Sequence, residues 1–153
     1  MANTYSQIYI HIVFAVKGRQ NLIPERNREE LQKYISGITA NQKQKLYAVY
    51  CMTDHVHLLV SLSPDVAISN LVRDIKANSS RFINEKGWMK GKFEWQQGYG
   101  AFSHSHSQTD AVVKYILSQQ EHHAKKSFRD EYLDFLKRFN VQYDERYIFE
   151  FID

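Results

Sequence analysis

The 153-residue chain has a single cysteine, Cys51, so no internal disulfide can staple it. That usage fits a reducing compartment, and a cytoplasmic location is expected. Cys51 sits between Tyr50 and Met52 in an ordinary strand-like run, with no motif that would make it a nucleophile. Long apolar stretches are also missing. The run Ile8–Val16 is far too short to span a bilayer. It is interrupted by His11, has no basic segment before it and no small-residue cleavage pattern after it, so it does not read as a signal peptide. There is no internal repeat, no low-complexity tract and no evident linker, and one domain over residues 1–153 is expected. A hydrophobic fraction of 43% and an aromatic fraction of 14% argue for a packed core. The net charge of +3 permits a nucleic-acid partner without requiring one.

The patterning alternates between strand and helix. Tyr5–Val16 reads as a strand, broken by Lys17-Gly18-Arg19. Pro24 precedes a helix with Leu31, Tyr34, Ile35 and Ile38 at helical spacing. Lys45–Met52 and His55–Leu62 form a hairpin about Thr53-Asp54, ended by Pro64-Asp65. A helix from about Val66 to Asn84 carries Ile68, Leu71, Val72, Ile75 and Phe82, and Gly87 closes it. A loop rich in aromatic residues and Gly, Trp88–Gly98, leads to a fourth strand, Tyr99–Ser103. Ser107 and Asp110 resemble a capping box for a helix reaching about His123, and Ser127 with Asp130 opens another through Arg138. The tail Tyr143–Phe151 is aromatic and acidic, suited to a final strand or to docking on a partner. The order β-α-β-β-α-β followed by two helices implies an α+β fold. A ferredoxin-like or RRM-like antiparallel sheet, with helices on one face, is expected.

Two constellations carry chemistry. On a strand, His55 and His57 of Asp54-His55-Val56-His57 point to the same face, about 6.6 Å apart along the chain, and can converge on one divalent ion. A lone His-x-His match is weak, and a second occurs at His104 and His106. On the helix after Ser107, Val112, Val113, Ile116 and Leu117 define a buried side, while Tyr115, Gln119 and His122 form a polar stripe at successive turns.

Together these stretches resemble the single-tyrosine HUH transposases of small insertion sequences, the TnpA or IS200-like type, and their REP-associated relatives. The similarity runs through Asp54–Val60, Trp95, Gly98–Ser103, and Lys114-Tyr115-Ile116 with Gln119, Glu121, His122 and His123. The opening strand with Tyr9, His11, Val13 and Phe14 is similar too. Thr53 departs from the Pro or Asn that the family often has before the Asp, a turn substitution that should not disturb the ligands. The resemblance implies His55, His57 and Gln119 as ligands of Mg²⁺ or Mn²⁺, and Tyr115 as a nucleophile forming a 5′-phosphotyrosine link. It implies single-stranded DNA with hairpins as substrate, and a homodimer in which the tyrosine helix of one subunit can complete the histidine site of the other. Arg73, Lys76, Arg81, Lys90 and Lys92 are candidate DNA contacts, and Trp88, Trp95 and Tyr99 candidate stacking residues. His104 and His106 fall outside the ligand pattern and read as a surface feature.

Three alternatives stand beside this reading. A noncatalytic RRM-like RNA-binding domain shares the strand order, but Gln97-Gly98-Tyr99-Gly100-Ala101 lacks the basic residue and the Phe of the RRM motif. A zinc hydrolase would need a third protein ligand and a general base, and no His-Glu-x-x-His spacing supplies them. A domesticated single-stranded DNA endonuclease would have the same residues as an active transposase.

Overall fold

The computed structural model describes residues 3–18 and 21–151; Arg19, the last residue of the expected break after the first strand, lies outside them. Four strands, β1 (Tyr9–Ala15), β2 (Lys45–Cys51), β3 (His55–Ser61) and β4 (Gly100–His104), form one antiparallel sheet in the order β2-β3-β1-β4. This is the ferredoxin-like order expected from the chain. Among the described residues, five α-helices accompany it: α1 (Arg28–Asn41), α2 (Ile68–Lys86), α3 (Thr109–Leu117), α4 (Gln119–His123) and α5 (Phe128–Arg138).

The central strands are buried on both sides, and the pleat sorts their residues between two cores. Ile10, Ile12, Phe14, Val56, Leu58 and Val60 face the larger core with α1 and α2, which contribute Leu31, Ile35, Leu71, Val72 and Ile75. Val13 and Ala15 face the other way, against Phe128, Tyr132, Phe135 and Leu136 of α5. Leu59 meets Val112 and Ile116 of α3 on that same side. The C-terminal helices therefore lie across the second face of the sheet, a placement that sequence patterning left open. His11, His55 and His57 occupy second-face positions, and this cover buries all three.

Several boundaries differ from expectation for identifiable reasons. Pro24 caps a 3₁₀ turn, Glu25–Asn27, and α1 starts only at Arg28. The capping box before α3 is Ser105 with Gln108, in place of Ser107 with Asp110, and it also opens on a 3₁₀ turn. The helix expected to run to His123 breaks at Ser118, whose backbone has left helical geometry (φ −104°, ψ 27°). Gly87 ends α2 as expected, in the left-handed conformation that Gly adopts without strain. Trp95 belongs to the core, its indole N–H donating to Ser79 Oγ at 3.0 Å, and its backbone bridges Val16.

The tail is not a strand. It docks on its own chain: Phe149 is buried against Phe128 and Tyr132, and Gln96 exchanges two hydrogen bonds with the Glu150 backbone at 2.7 Å each. Gly100 permits the close seat of α5, since a Cβ there would meet the Tyr132 ring at 2.8 Å and its hydroxyl at 2.7 Å. No helix among the described residues is long and apolar enough to cross a membrane.

Candidate active site

β3 delivers His55 and His57 to the second face, and both side chains are fully buried. Each is oriented from behind. His55 Nδ1 donates to Asp54 Oδ1 at 2.7 Å, which leaves its Nε2 pointing into the site with no hydrogen-bond partner among the described residues. His57 Nδ1 lies 2.8 Å from Nε2 of His11, a buried histidine on β1. A carboxylate or second imidazole behind a ring nitrogen is how proteins fix the tautomer of a metal ligand. The Phe128 ring stacks on His55 at 3.8 Å between centroids, fixing the ring plane.

α3, α4 and α5 close the site. Tyr115 stands 6.1 Å from the His57 ring, centroid to centroid, and its hydroxyl donates to Glu131 Oε2. The other oxygen of that carboxylate, Oε1, lies 3.0 Å from His57 Nε2, 3.2 Å from His123 Nε2 and 3.7 Å from His55 Nε2. Gln119 is fully buried. Its amide oxygen accepts from His123 Nε2 at 2.9 Å, and its amide nitrogen donates to the Tyr115 carbonyl at 3.3 Å. The expected surface stripe of Tyr115, Gln119 and His122 is thus split. Gln119 turns inward at the Ser118 break, while His122 stays outside, its ring 4.5 Å from that of Tyr115.

Charge follows this geometry. Burial would keep the Glu131 carboxyl protonated, but the imidazoles of His57, His123 and His55 outweigh it and hold the carboxyl far below its ordinary range. Burial lowers His57, and Glu131 only partly offsets that. His123 is pushed up because the bond to Glu131 overcomes desolvation. Burial and the Glu131 carboxylate together drive the Tyr115 phenol well above its usual value, so it rests protonated. Desolvation also opposes ionisation of Asp54, yet its bond to His55 leaves it lowered.

His55, His57, His123 and Glu131 each offer a ligand atom within 4.8 Å of the others, a set able to hold a metal ion. His123 and Glu131 were not singled out as ligands from the sequence. Glu131 did leave a trace there: it sits three residues after Phe128 and four before Phe135, a charged residue on an apolar stripe. Arg138 was also missed. It is exposed and borders both cavities that flank Tyr115, one of about 120 Å³ and one of about 230 Å³.

The candidate DNA contacts lie elsewhere. Arg73, Lys76, Arg81 and Lys92 line a groove of about 810 Å³ along α2 and the following loop, with Trp95 and Tyr99. Lys90 is exposed and is not among the groove's lining residues. Lys76 Nζ donates to the carbonyls of Gln96 at 2.9 Å and Gly98 at 2.5 Å, which ties it to the loop. Trp88 packs edge-on against Phe82. His104 is more than a surface residue: its buried Nε2 has no described partner, and its ring stands 6.2 Å from that of His11. His106 pairs with the Tyr9 hydroxyl at 3.0 Å.

Comparison with known proteins identifies the family of the chain. The family described as "Transposase IS200 like" matches residues 4–119, from before β1 to the first residue of α4. The chain is 29% identical over 122 residues to the ISDra2 transposase TnpA of Deinococcus radiodurans, covering 75% of this chain and 86% of that one. It is 26% identical over 104 residues to the transposase of insertion sequence element IS200 from Salmonella typhimurium, covering 65% and 68%. Its fold is similar, at a TM-score of 0.60 and 15% identity, to a REP-associated tyrosine transposase bound to a REP hairpin, covering 99% of this chain and 92% of that one. With the family matched over most of its length, and with a sheet-borne histidine pair facing a helix-borne tyrosine, the chain belongs to the IS200-like transposases, a family of DNA-cleaving enzymes.

Proposed function

We propose that this transposase cleaves single-stranded DNA at hairpin-bearing element ends and rejoins it through a 5′-phosphotyrosine intermediate on Tyr115. One observation carries the reading: the Tyr115 hydroxyl and the His57 imidazole meet the two oxygens of a single buried carboxylate, Glu131. Nucleophile and candidate metal ligands are thereby held together. The donor set fits a divalent ion, because His55 Nε2, a buried imidazole nitrogen with no hydrogen-bond partner among the described residues, is left free to bind one. His55 and His57 would hold the ion, Mg²⁺ or Mn²⁺, with Gln119 at the edge of the set. When bound, it supplies charge stabilisation for the scissile phosphate and the leaving oxygen.

In the reaction, the Tyr115 oxygen attacks phosphorus in line. A bond forms between them as the bond to the 3′ oxygen breaks. The phenolic proton is lost from Tyr115, one proton is gained by the departing 3′-OH, and no other reactant is needed. Because the link preserves the phosphodiester, a different 3′-OH can reverse the step, as strand transfer requires and simple hydrolysis does not. Arg138 would meet the phosphate beside Tyr115, and Asp54 and His11 would keep the two histidines aimed. The groove along α2 suits a hairpin, with Arg73, Arg81 and Lys92 along its rim. Residues 1–153 act as one domain in this reading, in the cytoplasm, supported by the tail's docking on α5. The homodimer implied by the resemblance is retained.

The test is an end-labelled single-stranded oligonucleotide carrying the hairpin from the DNA flanking the gene. Wild-type protein should give a covalent adduct on a denaturing gel with divalent metal. Tyr115→Phe should bind the hairpin normally and give none. An adduct that persists in Tyr115→Phe assigns the chemistry to another residue and refutes the proposal. Cleavage without any adduct would favour a hydrolytic endonuclease.

A further inference from the structure

Glu131 stands outside the His55, His57 and Gln119 set of the proposed reading, and it lies beyond the residues matched to the family. It is nevertheless the residue on which the site converges. It stands on the apolar face of α5 between Phe128 and Phe135, and is only 4% exposed. A carboxylate there needs partners on both oxygens, and it has them.

Two of the three separations around Oε1 are those of a coordination shell, and the third is a few tenths of an ångström longer. Ligand atoms about 2.1 Å from a common ion lie about 3.0 Å apart along an octahedral edge and about 3.4 Å apart along a tetrahedral one. Glu131 Oε1 stands 3.0, 3.2 and 3.7 Å from the Nε2 atoms of His57, His123 and His55. Gln119 Oε1, 2.9 Å from His123 Nε2, lies on the rim of the same set. With Asp54 on His55 Nδ1 and His11 beside His57 Nδ1, both histidines can present bare Nε2 lone pairs to the carboxylate. Without an ion, a proton on the imidazole must bridge such a contact, as in the hydrogen bond between His57 Nε2 and Oε1. A dication among them turns the same arrangement into four attractive contacts.

We infer that Glu131 is a direct ligand of the metal through Oε1, that His123 is another, and that Oε2 at the same time tethers the Tyr115 hydroxyl. This rests on the proposed reading that His55 and His57 hold the ion. Three imidazoles and one carboxylate form a set that favours Mn²⁺, Co²⁺ or Zn²⁺ over Mg²⁺, which prefers oxygen donors and gives up its waters reluctantly. The metal taken most readily is therefore a transition-metal dication. Every protein ligand comes from one chain, and the carboxylate fixes the distance between ion and nucleophile.

The experiment is calorimetric titration of the full chain with Mn²⁺ and with Mg²⁺, without DNA. Wild type should bind Mn²⁺ at least about tenfold more tightly than Mg²⁺. Glu131→Gln keeps the shape and removes the charge, and should weaken Mn²⁺ binding by about ten- to a hundredfold. Glu131→Asp should restore part of that loss, which a merely structural role for Glu131 would not produce. If Glu131→Gln does not fold, His123→Gln and Glu131→Asp provide the same comparison from two sides of the set. Unchanged Mn²⁺ affinity in the folded Glu131 variants, with binding lost in His57→Ala, overturns Glu131 ligation and leaves the histidine site standing. Binding unchanged in His57→Ala as well overturns both readings. Equal affinity for Mg²⁺ and Mn²⁺ in wild type overturns the three-imidazole set.

Discussion

Asp54 precedes the histidine pair and touches neither metal nor DNA in the reading above, yet its removal should be felt at the metal. His55 Nδ1 donates to Asp54 Oδ1 at 2.7 Å, and Asp54 is about a quarter exposed where His55 is fully buried. A hydrogen bond to a charged group contributes about 1.5–3 kcal/mol, and a neutral one about half that. Asp54→Asn keeps an acceptor oxygen and loses the charge, so it should cost about 1 kcal/mol of metal affinity, or roughly fivefold. Asp54→Ala leaves the Nδ1 proton unpaired in a buried ring and lets the other tautomer compete for Nε2. About 2 kcal/mol, or roughly thirtyfold, is expected, within the range typical of groups behind a metal ligand. The backbone carbonyl of Asp54 accepts from Val16 N–H at 2.9 Å, and neither substitution removes it, so the strand connection should hold. The assay is Mn²⁺ titration of the three proteins, with melting curves without metal to confirm folding. A graded loss, wild type above Asn above Ala, is the expected outcome. Equal affinities in three folded proteins would show that the Asp54 side chain does not orient His55.

Two further outcomes follow from the geometry. Replacing Arg81 and Lys92 together by Ala should weaken hairpin binding and flatten its dependence on log salt by up to about 2, one unit for each phosphate no longer neutralised; an unchanged slope would move the hairpin off this groove. Because Tyr115 stands beside the His57 of its own chain, mixing Tyr115→Phe with His55→Ala protein should restore no adduct formation. Restored activity after confirmed subunit exchange would show that the tyrosine helix crosses to the partner when DNA binds.

The sheet was legible because its signals are local. Alternation along Tyr9–Ala15 and His55–Ser61, the turn at Thr53-Asp54 and the helical spacing of Leu31, Ile35 and Ile38 need only neighbours a few residues away. The same pleat put His55 and His57 on one face, and Tyr115 four residues before Gln119 completed a recognisable pattern. The C-terminal half was less legible. The break at Ser118 has no Gly or Pro to announce it, yet it is where Gln119 turns into the core and His122 stays outside. No local spacing announces His123 and Glu131 as neighbours of the histidine pair, because they lie some seventy residues from it on separate helices. By itself the sequence determined the succession of strands and helices and the common face of His55 and His57, since short-range periodicity and backbone geometry specify these, while the roles of that pair and of Tyr115 were legible only through the family resemblance. Only the tertiary structure decided that α5 covers the second face and sets a buried carboxylate between the imidazoles and the phenol. That placement depends on the packing of Phe128, Tyr132 and Phe135 against β1 and β4, which joins segments far apart along the chain.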